Sequence, residues 1–82
     1  YYHIMEYSTD EKNFLENLGK RIRKLRSAKD WSQEKLASKC GLHRTYIGAI
    51  ERGERNISVL NLLKISNALN ISISELLNIN NC

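Results

Sequence analysis

Ser32-Gln33-Glu34-Lys35-Leu36-Ala37-Ser38-Lys39-Cys40-Gly41-Leu42-His43-Arg44-Thr45-Tyr46-Ile47-Gly48-Ala49-Ile50-Glu51-Arg52-Gly53 decides how this chain folds. Ser32 can open a helix by accepting a hydrogen bond from a first-turn amide. Leu36, Ala37 and Cys40 give that helix a narrow apolar face, with Trp31 packing at its entrance. Gly41 ends it, because glycine takes positive φ without a steric penalty. Leu42 plugs the turn, and a second short helix starts at His43.

On a helix advancing about 100° per residue, Ile47 and Ile50 fall on one side and form the buried stripe. Thr45, Gly48, Ala49 and Arg52 fall opposite, with Arg44 at the margin and Tyr46 to the side. A solvated face would carry Lys and Glu here. Gly48 instead costs roughly 0.5–1 kcal/mol against alanine, which close approach to another surface would explain. Close packing against a neighbouring helix would explain it too. A slim helix with long polar groups at its start suits the DNA major groove, about 12 Å wide.

Arg44 can donate two parallel hydrogen bonds to guanine O6 and N7, or act as a phosphate clamp. Thr45 can offer a hydroxyl to a base or phosphate and a methyl to thymine. Tyr46 can reach a phosphate or base edge from the flank, or pack partly in the core. Gln33, in the first turn of the preceding helix, can meet a phosphate together with that helix's free amides. Arg52, Arg55 and Asn56 read as groups that position the nucleic-acid backbone, with loop closure as the other reading of Arg55 and Asn56.

The flanking sequence supplies further helices. Ser8 and Glu11 make a capping box, followed by Phe14, Leu15, Leu18, Ile22 and Leu25 at helical spacing. The other faces of this helix carry Lys20, Arg21, Arg23 and Lys24. A fourth helix starts after Ser58, runs to about Leu69 and buries Leu62, Leu63, Ile65 and Leu69. Ser72 and Glu75 form a second capping box, opening a short apolar helix with Ile73, Leu76 and Leu77. The expectation is an all-α domain of five helices, without strands, over the 82 residues.

Residues 12–64 hold all thirteen Lys and Arg against five of the nine acids, a formal +8. A basic body of this kind points to a polyanion partner. Eighty-two residues leave no room for a catalytic cleft on its own scaffold, and no nucleophile–base–orienter set or glycine-rich phosphate loop is visible, so the chain reads as a non-enzyme. No cofactor is implied. Cys40 and His43 have C-x-x-H spacing, but the remaining candidate ligands, His3 and Cys82, lie at opposite ends, so no metal is expected. Both cysteines read as thiols of a reducing cytoplasm. No apolar run approaches the roughly 18 residues of a membrane span. Residues 1–8 read as an N-terminal extension, with Met5 as the native start and Tyr1–Ile4 added ahead of it.

Arg23-Lys24-Leu25-Arg26, Ser32 to Ala37, Ile47 with Ile50-Glu51-Arg52-Gly53, and Ala68-Leu69-Asn70-Ile71-Ser72 together resemble the Cro/repressor-like, lambda-repressor-like (XRE-type) helix-turn-helix domains. Gly41 to Ile47 with Glu51 to Ser58 is similar to the controller proteins of restriction-modification systems. The resemblance implies base reading by Arg44 and Thr45 with help from Tyr46 and Asn56. It implies phosphate contact at Gln33 and Arg52, and a structural ion pair between Arg26 and Glu51. It implies a homodimer formed through the last two helices, where Ile71, Ile73, Leu76 and Leu77 are the apolar candidates. It implies a bacterial, cytoplasmic transcription regulator on a palindromic double-stranded DNA operator, with RNA polymerase as a further candidate partner. Phage-type repressors and antitoxins share this scaffold, and a helical protein-interaction module is the remaining alternative. One departure stands out: the reading helix often begins with Ser or Asp, and here His43 stands in that place.

Overall fold

Each helix of this chain begins where a side chain can take the place of a missing turn. In the computed structural model, which describes residues 6–79, the order is α1 (Thr9–Ala28), α2 (Gln33–Cys40), α3 (Arg44–Glu51), α4 (Val59–Leu69) and α5 (Ile73–Leu76). No strand occurs among the described residues. Ser8, Ser32, Ser58 and Ser72 each accept a first-turn amide at 3.0–3.1 Å, satisfying one of the donors a helix start leaves open. The boxes at Ser8–Glu11 and Ser72–Glu75 are both closed. Gly41 ends α2 at φ 71°, and the Leu42 amide then bonds back to the Ala37 carbonyl at 3.0 Å. The expected native start at Met5, the residues Tyr1–Ile4 ahead of it, and Cys82 lie outside the described residues.

Ile22, Leu36, Ile47, Ile65 and Leu76 are each fully buried, one from each helix. Leu18, Ala37, Ile50, Leu62 and Leu69 fill the space between them. The α2–α3 corner therefore sits on a core to which all five helices contribute. Arg21 also ties α1 to α5 by donating to the Glu75 carbonyl at 2.9 and 3.3 Å. Trp31 is half-buried, with the Lys29 and Lys39 ammonium groups 5.3 and 5.0 Å from its ring centre. No described helix is long and apolar enough to cross a membrane.

Two apolar assignments need correction. Phe14 has α1 spacing but is 40% exposed, and Leu63 on α4 is 41% exposed. The stripe that faces the core on α1 runs through Leu15, Leu18, Gly19 and Ile22. Gly19 is there because α1 crosses the end of α3 at backbone contact: a Cβ would stand 2.5 Å from the carbonyl oxygens of both Ile50 and Glu51.

Gly19→Ala is expected to destabilise the domain by about 1–3 kcal/mol, since an added methyl in a packed contact must push the backbone apart. Gly48→Ala should be far milder, because its methyl would meet only the ends of the Arg52 and Gln33 side chains. Urea denaturation of the two variants checks this. Equal losses would contradict the close helix crossing.

Candidate nucleic-acid interface

His43 opens the helix expected to read bases. Its Nδ1 accepts the Thr45 amide at 3.1 Å, so the imidazole is the N-cap of α3. A ring accepting at Nδ1 carries its proton on Nε2 when neutral. A doubly protonated ring would offer no acceptor and would add a cation to the positive end of the helix. The sequence gives little warning of this role, because histidine is outside the usual set of capping residues.

Arg44 and Thr45 follow in the first turn, and both are exposed. The Arg44 side chain is two-thirds exposed and lies 3.7 Å from the Glu34 carboxylate, a loose contact across the α2–α3 corner. One helical turn further, Gly48 and Ala49 are buried, which corrects the expectation of an open slim face. The reason for Gly48 is specific. Arg52 Nη1 and Gln33 Oε1 would be 3.2 and 3.3 Å from a Cβ at position 48. The slim part of α3 thus makes room for two polar side chains that lie over it.

Gln33 is held in that place by Glu51. Its Nε2 donates to Glu51 Oε1 at 3.0 Å, which leaves the amide oxygen over Gly48. Glu51 in turn accepts a forked pair from Arg26, Nε to Oε2 at 2.7 Å and Nη2 to Oε1 at 3.0 Å. Arg26 Nη1 donates to the Trp31 carbonyl at 2.7 Å. The Glu51 side chain is only 2% exposed and that of Arg26 11%. Hydrogen bonding to Glu51 raises the Arg26 pKa above its ordinary value, against the opposing effect of desolvation. The expected Arg26–Glu51 pair is therefore present and bidentate, and it draws in Gln33, which was expected at a phosphate.

The flanking candidates divide. Tyr46 takes the packing alternative: its ring lies against the core, its hydroxyl accepts Asn61 Nδ2 at 3.0 Å, and the Arg55 guanidinium stacks 5.1 Å above it. Arg52 stays on the α3 surface but is bridged to Glu54 at 2.9 and 3.3 Å. The hydrogen bond from Arg52 lowers the Glu54 pKa. Nη1 of Arg52 takes no part in that bridge, so a phosphate can meet it there or displace the carboxylate. Asn56 is exposed and borders an open cavity with Tyr7, Asp10, Glu11, Phe14 and Leu15.

The expected dimer residues are corrected in part. Leu76 is fully buried in its own core and cannot face a partner. Ile71 and Ile73 are half-buried against that core, and Leu77 is 36% exposed. The larger exposed apolar groups are Val59 and Leu60 on α4, at 74% and 70%, joined there by Leu63. Cys40 is a buried free thiol whose pKa is pushed up by desolvation. No group of three His, Cys, Asp or Glu converges among the described residues.

A capped turn-linked helix pair on this core defines a helix-turn-helix protein, and the chain belongs to that family, whose match spans residues 22–76. It is 52% identical over 68 residues to control protein C.BamHI of Bacillus amyloliquefaciens, spanning 78% of this chain and 84% of that one. Its fold matches the crystal structure of the restriction-modification controller protein C.AhdI from Aeromonas hydrophila with a TM-score of 0.72. That match has 48% identity and covers 84% of this chain and 98% of the other. It also matches the biofilm regulator SinR solved in complex with DNA, with a TM-score of 0.71 and 37% identity, over 74% of this chain and 98% of that one.

Arg26→Ala should cost about 3–5 kcal/mol, the usual loss when one member of a buried ion pair is removed. Lys24→Ala, on the exposed side of α1, should change stability by less than about 0.5 kcal/mol. Thermal melts of the two variants test the difference, and similar shifts would rule out a structural pair. At the cap, His43→Ala should destabilise by about 1 kcal/mol while His43→Asn, which keeps an acceptor, should stay near wild type. Loss of the same size in both would show that capping is not what His43 contributes.

Proposed function

We propose that this protein is a homodimeric, sequence-specific DNA-binding transcription regulator that controls restriction-modification genes in the bacterial cytoplasm. The observation that carries this reading is the first turn of α3. Arg44 and Thr45 are presented to solvent on a helix whose start is capped by His43 and whose end is clamped by Arg26 and Glu51. A guanidinium on such a rigid mount can make the bidentate guanine contact, worth about 1–3 kcal/mol of discrimination. Similarity to control protein C.BamHI and to C.AhdI supports the biological role.

The side chains around the reading turn then have distinct tasks. Arg52, lying over Gly48, meets a phosphate flanking the groove in this reading, and Gln33 can join it only through the second hydrogen of its Nε2, because the first is given to Glu51 and its amide oxygen is an acceptor. Binding exchanges Glu54 for a phosphate at Arg52, and Glu34 for a base at Arg44. These exchanges fit the steep salt dependence of protein–DNA association. Tyr46 serves mainly as a brace between α3 and α4, with its hydroxyl proton still available to a nearby acceptor.

The dimer is built on α4. Val59, Leu60 and Leu63 form an exposed apolar face, and among the described residues few other large hydrophobics are exposed; a second copy covers this face in this reading. A two-fold dimer requires a palindromic operator with half-sites about 34–36 Å apart or a multiple of that distance. RNA polymerase is the further partner of a regulator bound beside a promoter.

Two measurements test the proposal. Selection from random duplexes should return a palindrome, and Arg44→Ala should lose discrimination at one base pair in each half-site. An equal loss of affinity on random DNA would reduce Arg44 to a phosphate contact. Leu60→Glu should give folded monomers in sedimentation with weak operator binding. A wild-type protein that remains monomeric at micromolar concentration would end the dimer reading.

A further inference from the structure

Most of the basic side chains of the described residues are already engaged. Arg26 and Arg21 bond within the fold, Lys29 and Lys39 lie on Trp31, Arg55 covers Tyr46, and Arg44 and Arg52 contact carboxylates. Lys20 and Arg23, one turn apart on the exposed side of α1, have no such partner and no place in the function described so far.

Their position is fixed by the close crossing of α1 and α3. Gly19 rests on the Ile50 and Glu51 carbonyls, so the adjacent Lys20 stands at the C-terminal end of α3. Lys20 and Arg23 line one open groove with Arg52, Glu51 and Glu16. The Glu51 carboxylate is neutralised by Arg26, which leaves Glu16 of α1 and Glu54, bridged to Arg52, as the opposing charges. On the other side of Lys20 the basic surface continues through Arg21 and Lys24, which share a second groove with Asn17, Asn78 and Ile79.

We propose that Lys20 and Arg23 form, with Arg52, a phosphate-binding shelf that grips the DNA backbone beyond the bases read by α3. This rests on the DNA-binding reading above and extends its footprint to α1. The geometry favours DNA because the shelf is continuous with the reading helix. In a helix-turn-helix the N-terminal residues of the second helix meet the base edges, so the far end of the eight-residue α3, about 12 Å away, lies out toward the edge of the groove. Cations placed beside the C-terminal end of that helix therefore stand at the wall of the groove, where the phosphates run. Contacts of this kind are indifferent to sequence and add to affinity and salt dependence.

The test is fluorescence anisotropy on a selected operator duplex and on a scrambled duplex of equal length, over a range of salt. The proteins are wild type, the double variant K20Q/R23Q, the charge control K12Q and the reciprocal variant E16Q. K20Q/R23Q should weaken binding by a similar factor on both duplexes. Its log–log salt slope should become shallower by about 0.9 per lost contact, so by about 3.6 for a dimer that loses two on each protomer. K12Q should bind as wild type, and E16Q should tighten binding on both duplexes. Circular dichroism melts confirm that the variants fold. An unchanged affinity and slope in K20Q/R23Q would overturn the shelf while leaving the reading by α3 intact. The same holds if that variant binds DNA normally but loses activation by RNA polymerase in vitro, which would assign the patch to a protein surface. A folded wild type that binds neither duplex would overturn the DNA reading itself.

Discussion

The Glu51 carboxylate is the point at which three helices are joined. It leaves the end of α3, receives a forked pair from Arg26 of α1, and accepts the amide of Gln33 from α2. Burial at 2% exposure would penalise an unpaired carboxylate severely, so these two partners must stay in place together. Arg26 is fixed a second time by the Trp31 carbonyl, at the turn between α1 and α2. The orientation of α3 relative to the rest of the domain thus depends on one hydrogen-bonded charge and on the backbone contact at Gly19 beside it.

The same network shapes the surface offered to DNA. A bare slim helix would let a groove come close at Gly48. Instead Gln33 and Arg52 lie over that position, one steered by Glu51 and the other by Glu54. The protein therefore meets the nucleic acid with polar side chains that already have partners. Under the proposed function, binding at Arg44 and Arg52 is an exchange of carboxylates for a base and a phosphate, and its strength follows the difference between two similar interactions. In the proposed reading specificity rests on the first turn, where Arg44 is held only loosely by Glu34. A weakly held guanidinium on a rigid helix can be redirected at small cost.

The division between core and exposed apolar surface follows from the size of the domain. A chain of 82 residues buries only about 60% or a little more of its unfolded surface, and Leu76 of the last helix is needed to complete its core. That draws Leu76 inward and leaves Val59, Leu60 and Leu63 outside. The apolar pattern of the last two helices announces burial, but it does not say whether a residue is covered by its own chain or by a second copy. Phe14 shows the same ambiguity on α1, where helical spacing alone puts it with Leu18 and Ile22.

What the amino-acid sequence by itself determined is local: four helix starts at serine caps, the Gly41 turn, the five-helix order, the Ile47–Ile50 stripe, and, through family likeness, the Arg26–Glu51 pair. Each depends on residues a few positions apart or on a motif shared with known relatives. His43 as a cap, the covering of Gly48, the bond from Asn61 to Tyr46 and the meeting of Lys20 and Arg23 with Arg52 were decided by tertiary structure. They depend on which way a side chain turns or on how helices distant in sequence cross, and spacing along a chain carries no information about either.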